Sequence, residues 1–431
     1  MSDGERAPHG PALCMDHYEL TMLSAALRDG TADRQSVFEV FARRLPTGRR
    51  YGVVAGTGRL IAALESLRFG AEEIDFLRGA EIIDDRVAEW LAGYRFTGSI
   101  DGYAEGDLFF PGSPILTVSG TFAECVILET LALSILNHDC AIAAAAARMV
   151  TAARGRPIIE MGSRRTHEEA AVAAARAAYL AGFASTSNLA AGLRYGIPTA
   201  GTAAHAFTLL HDSEPAAFAS QIATLGKHTT LLVDTYDIAQ GIRNAIAVAG
   251  PGLRAIRIDS GDLAVLAQQS RELLDQLSAV DTQIVVSGDL DEYAIAALAA
   301  EPVDVYGAGT AVVVGSGAPT AGLVYKLVEV SGQPVVKRSE QKATVGGRKT
   351  AVRRHKPTGT AIEEIVVSHG ALQSRPHDRA LQRPFVRGGE TVADLPTLTE
   401  SREFLRQCLI SIPWEGLKLS AGDPAIPIVR A

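Results

Sequence analysis

From Pro157 to Thr310 the chain repeats one unit: a short apolar run, a knot of small and polar residues, then a segment with helical periodicity. The knots read EMGSRRTHE (160–168), STSN (185–188), GTAAH (201–205), VDTYD (233–237), RIDSGD (257–262), VSGD (286–289) and GAGT (307–310). Apolar runs without strict alternation suit strands buried on both faces of a parallel sheet. Right-handed crossovers then bring every knot to the same face. An α/β barrel builds its chemistry from such turns, at the carboxyl ends of its strands. The strand candidates are PIIEM (157–161), FASTS (183–187), PTAGT (198–202), TTLLVD (229–234), AIRID (255–259), QIVVSG (283–288) and VDVYG (303–307). That is one short of eight, so either LVYKLVEV (323–330) supplies the last strand or the barrel is irregular.

At 431 residues the chain is too long for one ordinary core. The expected organisation is an N-terminal α+β segment (1–123), the barrel (124–321) and a C-terminal segment (322–431) that packs partly with the first. MDHYELTMLSAAL (15–27) reads as a helix, with Asp16 and Glu19 placed for a capping box. A long helix is expected over about 124–153, apolar on nearly all sides. The basic stretch KRSEQKATVGGRKTAVRRHK (337–356) reads most simply as a solvated hairpin. A net charge of −8 argues against a general nucleic-acid surface. No run of about 20 uncharged apolar residues suggests a membrane span, and the polar first residues show no signal peptide. Four cysteines without metal or disulfide spacing suit reduced thiols and a cytoplasmic protein.

Particular residues then stand out. His205 follows a predicted strand. Asp234, at another strand end, is able to accept a hydrogen bond from one ring nitrogen and leave the other nucleophilic; helix capping is its plain alternative. Asp259 and Asp262 flank a Ser-Gly turn, where carboxylates can hold ribose hydroxyls or Mg²⁺, or where Asp262 simply caps a helix. Arg257 lies two residues before Asp259, on the same strand face; it can clamp a substrate carboxylate or pair internally with Asp259. The glycine-rich turns around Ser287, Gly288 and Asp289, and around Gly307, Gly309 and Thr310, offer backbone amides to phosphate. Arg164 and Arg165 call for an anionic ligand or a surface ion-pair network. Together these point to an enzyme acting on a phosphorylated sugar.

With those motifs in hand, the chain resembles the nicotinate phosphoribosyltransferases. The resemblance runs from DHYELTM through GLVYKLVEV and rests on EMGSRRTHE, GFASTSNLAAGLRYGIPTAGTAAHAF, LLVDTYDIAQG, IRIDSGDL and YGAGT, in the family's order. It implies an irregular type II phosphoribosyltransferase barrel, plus a second α+β domain of strands drawn from both chain ends. It implies a homodimer with sites at the interface. The implied reaction joins nicotinate to 5-phosphoribosyl 1-pyrophosphate, giving nicotinate mononucleotide and pyrophosphate in NAD salvage, with ATP as co-substrate and Mg²⁺ as cofactor.

By similarity, His205 matches the histidine that ATP phosphorylates and Asp234 its orienting partner. Arg257 matches the arginine near the nicotinate carboxylate. Tyr18 matches an aromatic residue that stacks on the pyridine from the neighbouring subunit, with Thr202 beside that ring. Arg164 and the 307–310 turn match phosphate contacts, and Asp259 and Asp289 match the ribose and magnesium region, with Asp289 the metal candidate. Met15 stands where the family has threonine, and Met161 where the nicotinamide-using relatives have an aromatic residue. Two rival readings are the same chemistry on nicotinamide or quinolinate, and a non-catalytic binding protein on the same barrel.

Overall fold

The long apolar helix marks where the chain divides. A computed structural model describes residues 10–337, 345–368, 372–392 and 394–431. It separates into one compact unit of residues 1–141 with 320–431 and a second of residues 142–319. The boundary falls inside the helix Glu129–Ala153, not at 123/124 as the sequence predicts. The reason is packing: Leu131, Ala132, Ile135, Leu136 and Cys140 belong to the apolar core of the first unit. By length and composition the Phe122–Ala153 stretch is able to cross a bilayer. Its side chains are instead largely buried in protein, including every residue from Cys140 to Met149.

The first unit interleaves the two chain ends. Its seven-stranded sheet runs in the order 333–334, 323–330, 35–42, 116–121, 99–103, 382–387 and 390–391, with every neighbouring pair antiparallel. LVYKLVEV is therefore not a barrel strand: Tyr325 lies opposite Val40 in this sheet. Its alternating pattern suits a sheet with one wetter face better than a barrel wall. A four-stranded sheet follows, in the order 378–380, 350–355, 361–367 and 428–430. The helix His17–Asp29 begins as expected, but Asp16 makes no side-chain cap bond. Glu19 turns inward, where the amide and hydroxyl of Thr130 donate to it.

The basic stretch departs most from expectation. Residues 338–344 of it lie outside the described residues, but the rest is not simply solvated. Lys349 is buried and donates to Glu39 at 2.7 Å. Arg353 is fully buried, donating to Asp107 at 2.6 Å and Glu364 at 2.8 Å. Arg379 donates to both oxygens of Asp107, and Tyr103 and Ser113 donate to Glu364. Two guanidinium groups and two carboxylates thus balance one another, with Arg353, Asp107 and Glu364 out of reach of solvent and the Arg379 side chain 34% exposed.

The second unit is the α/β barrel, and it is open. Its parallel sheet orders the strands Ser185–Thr186, Ile158–Glu160, Val305–Ala308, Gln283–Gly288, Ala255–Ile258 and Thr230–Leu232. PTAGT contributes only a single bridge, Thr186 to Thr199. Around the wall the chain therefore runs in order, with a seam between Thr199 and Thr230 where no strand pairing is made among the described residues. Most crossovers are helices with side-chain caps: Asn188, Asp237, Asp262 and Asp291 each accept from an amide in the first turn of the helix that follows.

Candidate active site

The strand-end turns meet in one connected group of side chains. Arg257 lies at its centre. Its Nε donates to Ser287 at 2.7 Å, Nη1 to Thr202 at 3.1 Å and Nη2 to Asp259 at 2.7 Å. Three strand ends are joined through one planar cation. Three of the five N–H groups of a guanidinium are committed in this way, which leaves two for a ligand. The internal pairing with Asp259 is real, and it coexists with binding capacity. Ser287 also donates to Asp259. Burial pushes the Asp259 carboxyl up, but the Ser287 hydrogen bond and the Arg257 charge outweigh that and hold it below its ordinary value.

Asp234 continues the group. Its Oδ2 accepts from the Asp259 amide and the Ser260 hydroxyl, each at 2.9 Å. Capping falls to Asp237 instead. The other oxygen, Oδ1, is buried and has no hydrogen-bond partner among the described residues. It lies 3.8 Å from His205 Nε2, too far for the hydrogen bond that the sequence suggests. The Asp234 side chain is 1% exposed and that of His205 is 41% exposed. His205 Nδ1 instead lies 3.2 Å from Thr235 Oγ1. Sequence reasoning assigned nothing to Thr235, although it stands inside the VDTYD motif.

The remaining turns join from the other side. Glu160, also unassigned from sequence, is buried; burial raises its carboxyl, while the Thr186 hydroxyl and Gly162 amide donate to it. Asn188 donates to Ser163 at 3.0 Å, linking the second knot to the first. Gly307 is buried within its strand. A Cβ there would come within 2.8 Å of the Met161 sulfur and 2.9 Å of Ser287 Cβ. That side of Gly307 is therefore closely packed. Gly309 and Thr310 are half-buried, and among the described residues no backbone bond occupies their amides. Gly288 has φ +135°, a turn that a side chain resists, and passes close to the Asp259 carbonyl.

Arg164, Arg165 and Asp289 are exposed and have no ion pair among the described residues, so the expected alternative of a surface network at the two arginines is not found. Tyr18 lies in the first unit, 45% exposed. Burial and the neighbouring Glu129 push its phenol up to about 12, so it stays neutral. No group of three or more metal-ligating side chains is gathered among the described residues. Mg²⁺ commonly keeps several waters and takes one or two carboxylates plus substrate phosphates. A lone uncommitted carboxylate such as Asp289 fits that mode.

Comparison with known proteins agrees with this fold. Residues 13–137 match the nicotinate phosphoribosyltransferase N-terminal domain, and residues 142–316 the quinolinate phosphoribosyl transferase C-terminal domain. The chain is 61% identical to nicotinate phosphoribosyltransferase pncB1 of Mycobacterium tuberculosis, over 99% of this chain and 96% of that one. It is 38% identical to the nicotinate phosphoribosyltransferase of Bacillus subtilis, over 79% of this chain and 73% of that one. Among solved structures, human nicotinic acid phosphoribosyltransferase superposes with a TM-score of 0.85 at 27% identity, covering 96% of this chain and 97% of that one.

Proposed function

The chain belongs to the nicotinate phosphoribosyltransferase family, and from that premise we propose that it condenses nicotinate with 5-phosphoribosyl 1-pyrophosphate, coupled to ATP hydrolysis through a phosphohistidine at His205. The observation that carries the reading is the anchored Arg257. A guanidinium fixed by Thr202, Ser287 and Asp259 keeps two N–H groups in place for a planar carboxylate. That arrangement favours a monocarboxylic pyridine over its amide.

In the forward reaction the pyridine nitrogen attacks the anomeric carbon as the C–O bond to pyrophosphate breaks. Positive charge develops on the ribose, and Asp259, kept ionised by its partners, stabilises it. Tyr18, contributed by the second subunit of a homodimer, stacks on the ring and holds it in line. Arg164 and the amides of Gly309 and Thr310 take phosphate oxygens. Asp289 would hold Mg²⁺, which supplies charge to offset the leaving pyrophosphate.

The unpartnered Asp234 oxygen supports the ATP-coupled reading. A small turn of the His205 ring brings its Nε2–H to that oxygen and leaves the Nδ1 lone pair to attack the γ-phosphorus of ATP, releasing ADP. The charge then added at His205 reorganises the pocket, and hydrolysis of the phosphohistidine completes the cycle. The setting is NAD salvage in the cytoplasm.

The test is product formation from 5-phosphoribosyl 1-pyrophosphate with labelled nicotinate, nicotinamide or quinolinate in parallel, each with and without ATP. Nicotinate mononucleotide, raised by ATP, is expected. Nicotinamide turnover equal to or above that of nicotinate would refute the reading.

A further inference from the structure

Parallel barrels ordinarily fill their interior with layers of branched side chains. This one does not. Ser185 and Ala255 stand in its lining where a filled barrel has bulk, and among the described residues no strand pairing closes the seam between Thr199 and Thr230. The result is a cavity of about 460 Å³ along the barrel. At the carboxyl end of the strands it reaches Met161 and Thr202, beneath the candidate active site. At the amino end it is lined by His228 and Arg254.

The lining specifies a ligand. Ile159, Val285 and Val305 give it apolar wall. Ser185, Thr230 and Gln283 also line it, half-buried, and their side chains have no hydrogen-bond partner among the described residues. Half-buried groups of this kind are free to pair with water or with a ligand that enters the space. Arg254 and His228, both exposed at the amino end, have no ion pair or hydrogen bond from their side chains among the described residues, and the arginine is a permanent cation. A cavity of roughly 150 Å³ suffices for one benzene ring, so this volume takes a ring with substituents and water. A flat apolar body ending in one anionic group matches the wall and the cationic end together.

We infer that the barrel interior is a second ligand site, separate from the pyridine position at the mouth, for an aromatic or heteroaromatic monocarboxylate whose carboxylate meets Arg254 and His228. The site requires neither the ATP step nor the phosphate contacts. It shares with the mouth Thr202, the hydroxyl that anchors Arg257, and Met161, which packs against Gly307. Filling the barrel therefore also changes how firmly Arg257 is held.

Benzoate is the probe, because it has the acid and the ring but no nitrogen to react. Equilibrium dialysis of the full chain with labelled benzoate is expected to give two equivalents bound per chain. The double variant Arg254→Gln/His228→Gln should lose one of them, its affinity falling more than about tenfold, while turnover at low nicotinate changes less than about twofold. Arg257→Gln should lose the other and keep the barrel equivalent, so failure of the mouth assignment is seen separately. A single equivalent in the wild type, or two equivalents retained in the double variant, overturns the inference.

Discussion

Replacing Arg257 with glutamine tests the site where its geometry is most explicit. The substitution removes the two N–H groups left for a carboxylate and cuts three internal bonds, to Ser287, Thr202 and Asp259. A charge-assisted hydrogen bond is worth about 1.5–3 kcal/mol. Losing a two-bond clamp on nicotinate should therefore raise the barrier by about 3–4 kcal/mol, or about 10²–10³ in kcat/KM. Nicotinamide offers no charge to the arginine, so its kcat/KM should fall only about tenfold. The ratio of the two substrates is the diagnostic quantity. A second consequence concerns pH. Arg257 helps hold the Asp259 carboxyl below its ordinary value. Without that cation, Asp259 takes up its proton at higher pH, and the acid limb of the rate profile moves upward. Initial rates of pyrophosphate release, with both substrates across the acid range, read both effects. Equal losses on nicotinate and nicotinamide, or an unmoved acid limb, would refute the argument.

Three further outcomes follow from other parts of the molecule. Asp234→Asn keeps an acceptor for the Asp259 amide but removes the charge facing His205, so ATP-stimulated turnover should fall about 10²-fold while ATP-independent turnover persists. Gly307→Ala should destabilise the barrel unit by about 1–3 kcal/mol in denaturant melts, and Met161→Ala in the same chain should recover part of it, because the added methyl meets the Met161 sulfur. Asp107→Asn should destabilise the first unit by about 3–5 kcal/mol, since it leaves buried guanidinium charge uncompensated. Burial raises the Asp107 carboxyl, but Arg353 and Arg379 outweigh it, so its folded value lies below its unfolded one. The stability it contributes is therefore present above the unfolded carboxylate value and lost as pH falls through the folded one, and in Asp107→Asn the melting temperature should fall less steeply on acidification.

Much of the barrel was legible because its chemistry sits in short contiguous motifs. RIDSGD brings Arg257 and Asp259 onto one strand face, and VDTYD brings Asp234 and Thr235 to one strand end. Local spacing says that such groups share a face, but not which atoms touch. The bond from Arg257 to Thr202 crosses 55 residues, and its bond to Ser287 crosses 30. The first unit was harder for the same reason. Arg353 and Lys349 stand in a run that looks solvated, yet each pairs with a distant carboxylate, Asp107 at 246 residues and Glu39 at 310. Periodicity also could not reveal the open barrel. It shows which positions face inward, but Thr199 and Thr230 read as strand residues whether or not their strands pair.

The most direct measurement is to incubate the full chain with ATP labelled at the γ-phosphate and map the modified residue after proteolysis under alkaline conditions. Acid-labile label on His205 is expected, discharged when nicotinate and 5-phosphoribosyl 1-pyrophosphate are added. Label on another residue, or ATP-stimulated synthesis undiminished in His205→Ala, would contradict it.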